Sequence, residues 1–353
     1  MPIPDVLRAL LTAPAPSGRE GTAARVWREA AQGFASSVAG DVIGSSVATV
    51  DGKGGGPMLA IVGHIDEIGL IVNHIDDDGM LWFSGVGGWD PQILVGQRVE
   101  VQGDAGPVAG IVGKKPIHLL RDEERKKVAE LRDLHVDIGA RDGDDARTRV
   151  RIGDVAVIAG EPVELPNGRL VSRALDNRLG AWVALEAARL VAEAGGAPGA
   201  VAAVASAQEE TTGAGAQTTA FSLRPGVAVA VDVTHATDAP GVAPGELGSH
   251  GLGSGPVITR GAIVSRPLND LLDAAAEAAG IECTTEASGG VTHTDADVVH
   301  ISRAGVPTAV VSIPLRYMHS SVEMVELADV EAVIALIAGM ALRLETDQAL
   351  TRW

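Results

Sequence analysis

Four continuous apolar runs stand out along this chain, at residues 58–63, 200–207, 226–233 and 308–314, and each carries or leads within a few residues to an acid or a histidine. Runs of this length without polar alternation are the mark of strands buried on both faces, as in a parallel sheet. The first run enters His64-Ile-Asp66. The second ends in Gln208-Glu209-Glu210 and a Gly-punctuated segment, the third contains Asp232, and the fourth leads through Leu315-Arg-Tyr-Met to His319. Between the runs the period changes to that of helices. Residues 178–194 carry a polar stripe of Glu186, Arg189 and Glu193 on an otherwise apolar surface, and 267–279 reads as a helix closed by Gly280. Residues 329–345 complete the helical set, with two scaffold helices at 5–11, capped by Asp5, and near Ala24, Val26, Trp27 and Ala30. A strand at 46–50 precedes the first buried run across the turn at 51–56, and a strand at 281–286 follows the helix closed by Gly280.

From residue 67 to about 165 the texture is different. Short β segments with frequent turns are predicted at 68–75, 80–84, 97–102, 106–113, 134–138 and 154–159, with a mostly charged run at 121–132 read as a solvated helix or loop. Many short strands and few helices suggest a small β-barrel inserted into a larger α/β domain, with association or roofing of a site as its use. The expected organisation is a catalytic domain in two parts, 1–66 and 166–353, around an inserted β-barrel dimerisation domain at 67–165.

Composition narrows the partners. The 353 residues are 46% hydrophobic and carry 46 acidic against 28 basic side chains, a formal charge of -18. That excess argues against nucleic acid and anionic membrane surfaces and favours cationic ligands, including free amino termini. A single cysteine, Cys283, excludes an internal disulfide, no uncharged apolar stretch reaches the length of a membrane span, and the start Met1-Pro-Ile-Pro lacks the regions of a signal peptide. The cytoplasm is the expected compartment.

The candidate chemistry lies at the ends of these elements. His64 with Asp66, Asp176 at the start of a buried helix, Glu209 with Glu210, Asp232, and His319 each adjoin a buried apolar segment, where a rigid site is built. Taken singly, each has a plain structural role: a strand-end turn for Glu209-Glu210, a capped strand end for His64-Ile-Asp66, an N-cap for Asp176. Together, two histidines and several carboxylates are the donor set of zinc or cobalt, and a carboxylate shared between two ions makes a dinuclear centre of the kind found in aminopeptidases. The Gly85-Val-Gly-Gly and Gly251-Leu-Gly-Ser-Gly stretches lack the context of a phosphate cradle, and Ser249-His250 and Ser320 beside His319 do not form a nucleophile elbow. His293 and His118 are the remaining histidines expected nearest substrate.

The motifs Gly63-His-Ile-Asp-Glu-Ile-Gly69, Ala174-Leu-Asp-Asn-Arg178, Gln208-Glu-Glu210, Val231-Asp232, Thr294-Asp-Ala296, Gly305-Val-Pro and Ser312-Ile-Pro-Leu-Arg-Tyr-Met-His-Ser320 resemble, in order, the tetrahedral and glutamyl aminopeptidase family of dinuclear metallopeptidases, peptidase family M forty-two. The resemblance implies a mixed central sheet flanked by helices with the barrel inserted between the first ligand histidine and the bridging aspartate. About 110 residues separate His64 from Asp176 here. It makes Asp176 the carboxylate bridging two divalent ions, His64 and Asp232 the other ligands of one, and Glu210 and His319 those of the second. Glu209 becomes the general base for a metal-activated water, and Asp66 its catalytic neighbour, accepting the free ring N–H of His64. A cis peptide at Asp176-Asn177 is implied, as are peptide substrates with a free amino terminus and a homo-oligomer, from a dimer to a tetrahedral dodecamer. Ser320-Ser-Val departs from the Ser-Pro-Val common in the family. The readings left open beside an aminopeptidase are another amide hydrolase on the same core, a deacylase or carboxypeptidase-like enzyme, and a glucan-active or assembly protein without peptidase activity.

Overall fold

The computed structural model describes residues 3–345 and 350. The four apolar runs become four adjacent parallel strands. In order across the sheet they are Val201–Ser206, Leu59–His64, Val227–His235 and Thr308–Leu315. Nearly every side chain on them is buried, because helices cover both faces and no position is left to alternate with solvent. Antiparallel pairing extends the sheet on both sides: Ser46–Val50 and Ser37–Gly40 on one, Val257–Gly261 on the other, with Thr284–Ser288 at the far edge parallel to it. Among the described residues this mixed sheet has eight strands.

One face carries the long helix Leu175–Glu193, packed on the sheet and against Leu327–Ala341, which in turn meets Arg266–Ala279. Asp5–Thr12 and Gly21–Ala31 complete that layer around the fully buried Trp27, whose indole N–H donates to Ala181 O at 2.8 Å. The opposite face is closed by Ala214–Leu223 and Ala296–Val299 over Val62, Val204 and Ala228. The helix Leu175–Glu193 approaches the sheet closely because glycines face each other. A Cβ added at Gly63 would stand 2.2 Å from the backbone of Gly180. That close approach brings the start of the helix to the ends of the strands carrying His64 and Asp232.

Residues 69–158 form a closed six-stranded barrel in the order Gly69–Ile75, Leu81–Val86, Leu134–Asp137, Gly106–Lys114, Arg98–Gly103, Val155–Ile158. It has its own apolar core, with Leu70, Leu81, Val101 and Leu134 at its centre. Each predicted barrel segment overlaps one of these strands. The charged run 121–132 is an exposed connection with 3-10 turns at Glu124–Lys126 and Leu131–Asp133, since it has no apolar face to bury as a helix.

Several expectations are corrected. Asp5 is the first residue of its helix rather than its cap, and Pro4 occupies the cap position. The strand expected at 281–286 lies at Thr284–Ser288, because Gly280 in the left-handed region delays the chain's return to the sheet. The strand Val257–Gly261 and the small antiparallel sheet of Val163–Leu165, Arg169–Ser172 and Glu323–Glu326 carry no strong periodicity, and sequence reading missed them. No helix among the described residues is long and apolar enough to cross a membrane.

Candidate functional site

Because the four central strands run in one direction, their carboxyl ends lie on one edge of the sheet, the edge where open α/β sheets place their ligands. His64 is the last residue of its strand, in register with Ser206 on the neighbour; Asp232 is in register with Ser312. Glu209 and Glu210 follow the strand Val201–Ser206, and His319 follows Thr308–Leu315. Asp176 enters from the helix start, where the Asp176–Asn177 peptide is cis, as the resemblance implies. Asp176 does not cap the helix; the cap position is Ala174, in the left-handed region.

The structure brings all seven predicted residues together. Oδ1 of Asp176 lies 3.2 Å from Nε2 of His64, and Oδ2 lies 3.4 Å from Nε2 of His319. Nε2 of His319 is also 3.4 Å from Oε1 of Glu210. Two groups follow, His64 with Asp176 and Asp232, and Asp176 with Glu210 and His319. Within each, one ligand atom per residue lies within 4.8 Å of the others. Oε2 of Glu209 stands 3.7 Å from Nε2 of His64. These side chains form one wall of an open cleft of about 680 Å3 that continues past Thr234 to Glu286 and His293. His118 sits in an exposed turn of the barrel instead.

Asp66 does more than the resemblance implied. Nδ1 of His64 is 3.2 Å from the Asp66 carbonyl oxygen and 3.5 Å from its carboxylate. The carboxylate itself accepts the backbone N–H groups of Glu209 at 3.1 Å and Glu210 at 3.2 Å, so the buried Asp66 sets the turn that presents both glutamates. Glu323, unmarked in the sequence, plays the matching part on the other side. It is buried and accepts the N–H of Asp176 at 3.1 Å and of His319 at 3.0 Å. Asn177 fixes the helix start by donating to Val231 O and accepting from Gly180 N, both at 2.8 Å. Beneath these, Glu67 joins the buried Arg173 and Arg178, and Arg178 also donates to the carbonyls of Leu10 and Ala13. The barrel contributes as well: the Gly88 carbonyl receives the Nδ1–H of His319 at 2.8 Å.

Five non-glycine residues at the site, Ala174, Gln208, His293, Tyr317 and His319, hold positive φ between 55° and 62°. Each such conformation costs of order 1 kcal/mol or more, and such residues gather where side chains must be aimed.

Burial dominates the electrostatics of these crowded acids. Burial pushes Glu209 up to about 8, and burial likewise raises Glu210 and carries Asp232 well above the usual carboxylate range. Burial also lifts Asp295, bonded to Ser206, to about 6. Burial pulls the two histidines down, but the hydrogen bonds their ring N–H groups donate to Asp176, with Asp66 adding to this at His64 and Glu210 at His319, outweigh it. His319 is held up to about 11, and His64 well above its ordinary value. Asp176, though buried, is held well below the carboxylate range by the same two histidines. Among the described residues no Lys or Arg pairs with Asp176, Asp232, Glu209 or Glu210. Oε1 of Glu210 is buried without a well-formed hydrogen bond. Carboxylates and imidazoles converging in this way are a donor set that fits divalent metal ions.

Residues 44–336 match the M42 glutamyl aminopeptidase family. The chain is 33% identical to a lysyl aminopeptidase of Pyrococcus furiosus over 95% of this chain and 96% of that one. Among solved structures it resembles a TET aminopeptidase from the marine sediment archaeon Thaumarchaeota archaeon SCGC AB-539-E09. The TM-score is 0.93 at 36% identity, covering 98% of this chain and 97% of that one. It also resembles the Pyrococcus horikoshii TET1 peptidase, which assembles into a tetrahedron or a large octahedral shell. There the TM-score is 0.84 at 32% identity, covering 96% and 99%.

Proposed function

This chain belongs to the M42 glutamyl aminopeptidase family and is an aminopeptidase, a hydrolase of peptide bonds, and from that premise we propose that its two ligand groups each hold one divalent cation, zinc or cobalt. His64 and Asp232 hold one, Glu210 and His319 the other, and Asp176 is shared. The observation that carries this is the placement of Asp176, with one carboxylate oxygen facing each histidine. Ions bound there supply Lewis acidity toward water and toward the scissile carbonyl.

The chain's own groups do the rest. Glu209 opens onto the cleft beside His64 and takes a proton from the attacking water. It then delivers that proton to the nitrogen of the departing amine as the carbon–nitrogen bond breaks. Asp66 holds Glu209 and Glu210 in place through their backbones, and Glu323 holds Asp176 and His319. The acidic surroundings favour a substrate with a free, cationic amino terminus.

The barrel and its flanks support a division into a two-part catalytic domain, 1–66 and 166–353, and an inserted domain at 67–165 through which copies of the chain associate. The exposed Ile111, Ile117, Leu119 and Val128 lie in this segment. A homo-oligomer, up to the closed shells of the TET relatives, and a cytoplasmic location complete the proposal.

Metal analysis and cleavage assays test it together. Two ions per chain are expected, with free amino-acid p-nitroanilides cleaved and their N-acetylated forms resisted. Asp176→Ala is expected to bind neither ion tightly. Turnover of blocked peptides or of glucan in place of free-amine substrates sinks the assignment.

A further inference from the structure

Past the ligand groups the cleft runs along the strand Val227–His235 to Glu286. Outside the ligand groups and Glu209, Glu286 is the only carboxylate among the described residues lining this cleft, and no Lys or Arg lines it. Its position is built. Glu286 lies on the edge strand Thr284–Ser288 in register with Thr259, and Thr259 Oγ1 donates to its Oε1 at 2.7 Å. Thr234 Oγ1 donates to its Oε2, also at 2.7 Å. Thr234 follows Asp232 by two positions on one strand, so both side chains leave the same face, about 7 Å apart along it. The two hydroxyls fix the carboxylate without neutralising it, and each oxygen keeps lone-pair capacity for a further donor.

We infer that Glu286 is the specificity-determining residue of the cleft and selects a cationic side chain, lysyl or arginyl, on the amino-terminal residue of the substrate. This rests on the aminopeptidase chemistry proposed for the ligand groups. With the reacting carbonyl held there, the first side chain extends along the strand toward Thr234, and an ammonium or guanidinium group meets a preorganised carboxylate. Acidic side chains meet like charge, and apolar ones leave the carboxylate unpaired, so both are discriminated against.

The test is steady-state kinetics of the metal-loaded protein and its Glu286→Gln variant on Lys, Arg, Leu and Glu p-nitroanilides. It is joined by calorimetric binding of lysinamide and leucinamide, a readout independent of turnover. The wild type is expected to prefer Lys and Arg. In the variant kcat/KM for these falls about tenfold or more through KM, lysinamide binding weakens in step, and the Leu substrate changes little. Should Glu286→Gln alter folding, Glu286→Asp keeps the charge and is expected to keep the preference for cations. Equal losses for Lys and Leu, or a wild type that prefers Glu or Leu, overturn the pocket assignment while leaving the aminopeptidase chemistry standing. No cleavage of any free amide overturns both.

Discussion

The Nδ1–H of His319 is donated to the carbonyl oxygen of Gly88 at 2.8 Å, a contact that joins the barrel to the ligand groups. A carbonyl only accepts, so the proton sits on Nδ1 and Nε2 is left facing Asp176 and Glu210. A side chain at Gly88 has little room, since its Cβ would lie 3.3 Å from that same Nδ1. Gly88→Ala is therefore expected to weaken one of the two ions about tenfold and leave the other nearly unchanged. Metal titration by calorimetry checks it, and equal weakening of both ions, or of neither, contradicts the assigned coupling.

The Asp66 carboxylate receives two backbone N–H groups, from Glu209 and Glu210. Asn at this position offers one oxygen and one NH2, so one partly buried N–H loses its acceptor and meets a donor instead. Asp66→Asn is expected to lower kcat about tenfold to a hundredfold while the protein still binds metal, because the turn presenting Glu209 shifts. Kinetics on a free-amine substrate alongside metal content decide it. A variant with full activity would show that the turn holds its place without this acceptor.

How much of this was legible without coordinates depends on the residue. His64, Asp232, Glu209 and His319 announced themselves because each adjoins an apolar run long enough to be a buried strand, and parallel strands bring such ends together. Asp176 was legible as the start of a buried helix, though its plain reading as a cap was wrong. Glu323 had no such marker. It sits in Ser320-Ser-Val-Glu323, and its role exists only because the chain folds back after His319 to pair Glu323–Glu326 with Arg169–Ser172. Glu67 lies within the Gly63-His-Ile-Asp-Glu-Ile-Gly69 motif, but nothing local says that an exposed-looking acid meets two arginines more than a hundred positions away. The carbonyl of Gly88 was illegible for the same reason, since backbone acceptors carry no sequence signature.

Glu67 and Arg178 supply a stability prediction. The pair lies at 3.0 Å with both side chains buried, and Glu67 also binds Arg173 and the N–H of Ala15. Removing the negative charge leaves two buried guanidinium groups short of a counter-charge, a change that typically costs about 3–5 kcal/mol. Glu67→Gln is expected to lower the denaturation midpoint accordingly, measured in guanidinium chloride with the metal-binding residues untouched. Arg178→Lys is also expected to destabilise, because an ammonium cannot reach Glu67 and the carbonyls of Leu10 and Ala13 with the fixed fork of guanidinium. A loss below about 1 kcal/mol in Glu67→Gln would mean that the two arginines satisfy their charge elsewhere.

Asp329 gives the chain a pH dependence remote from the ligand groups. Burial raises this carboxyl from 3.8 to about 6, against the opposing hydrogen bonds it accepts from the N–H groups of Gly253 and Gly255, both at 2.8 Å. Between about 4 and 6 the folded chain keeps a proton that the unfolded chain has released, so this group's contribution to stability falls as pH rises through that window. Below the window both states are protonated, and above it both are charged, so the contribution is flat at either side. Asp329→Asn removes the titration. The Tm difference, wild type minus variant, is therefore expected to shrink as pH rises from about 4 to about 6 and then level off. Thermal unfolding across pH 3.5 to 8 measures it, and a difference that grows over the same interval would place the folded-state carboxyl below rather than above its unfolded value.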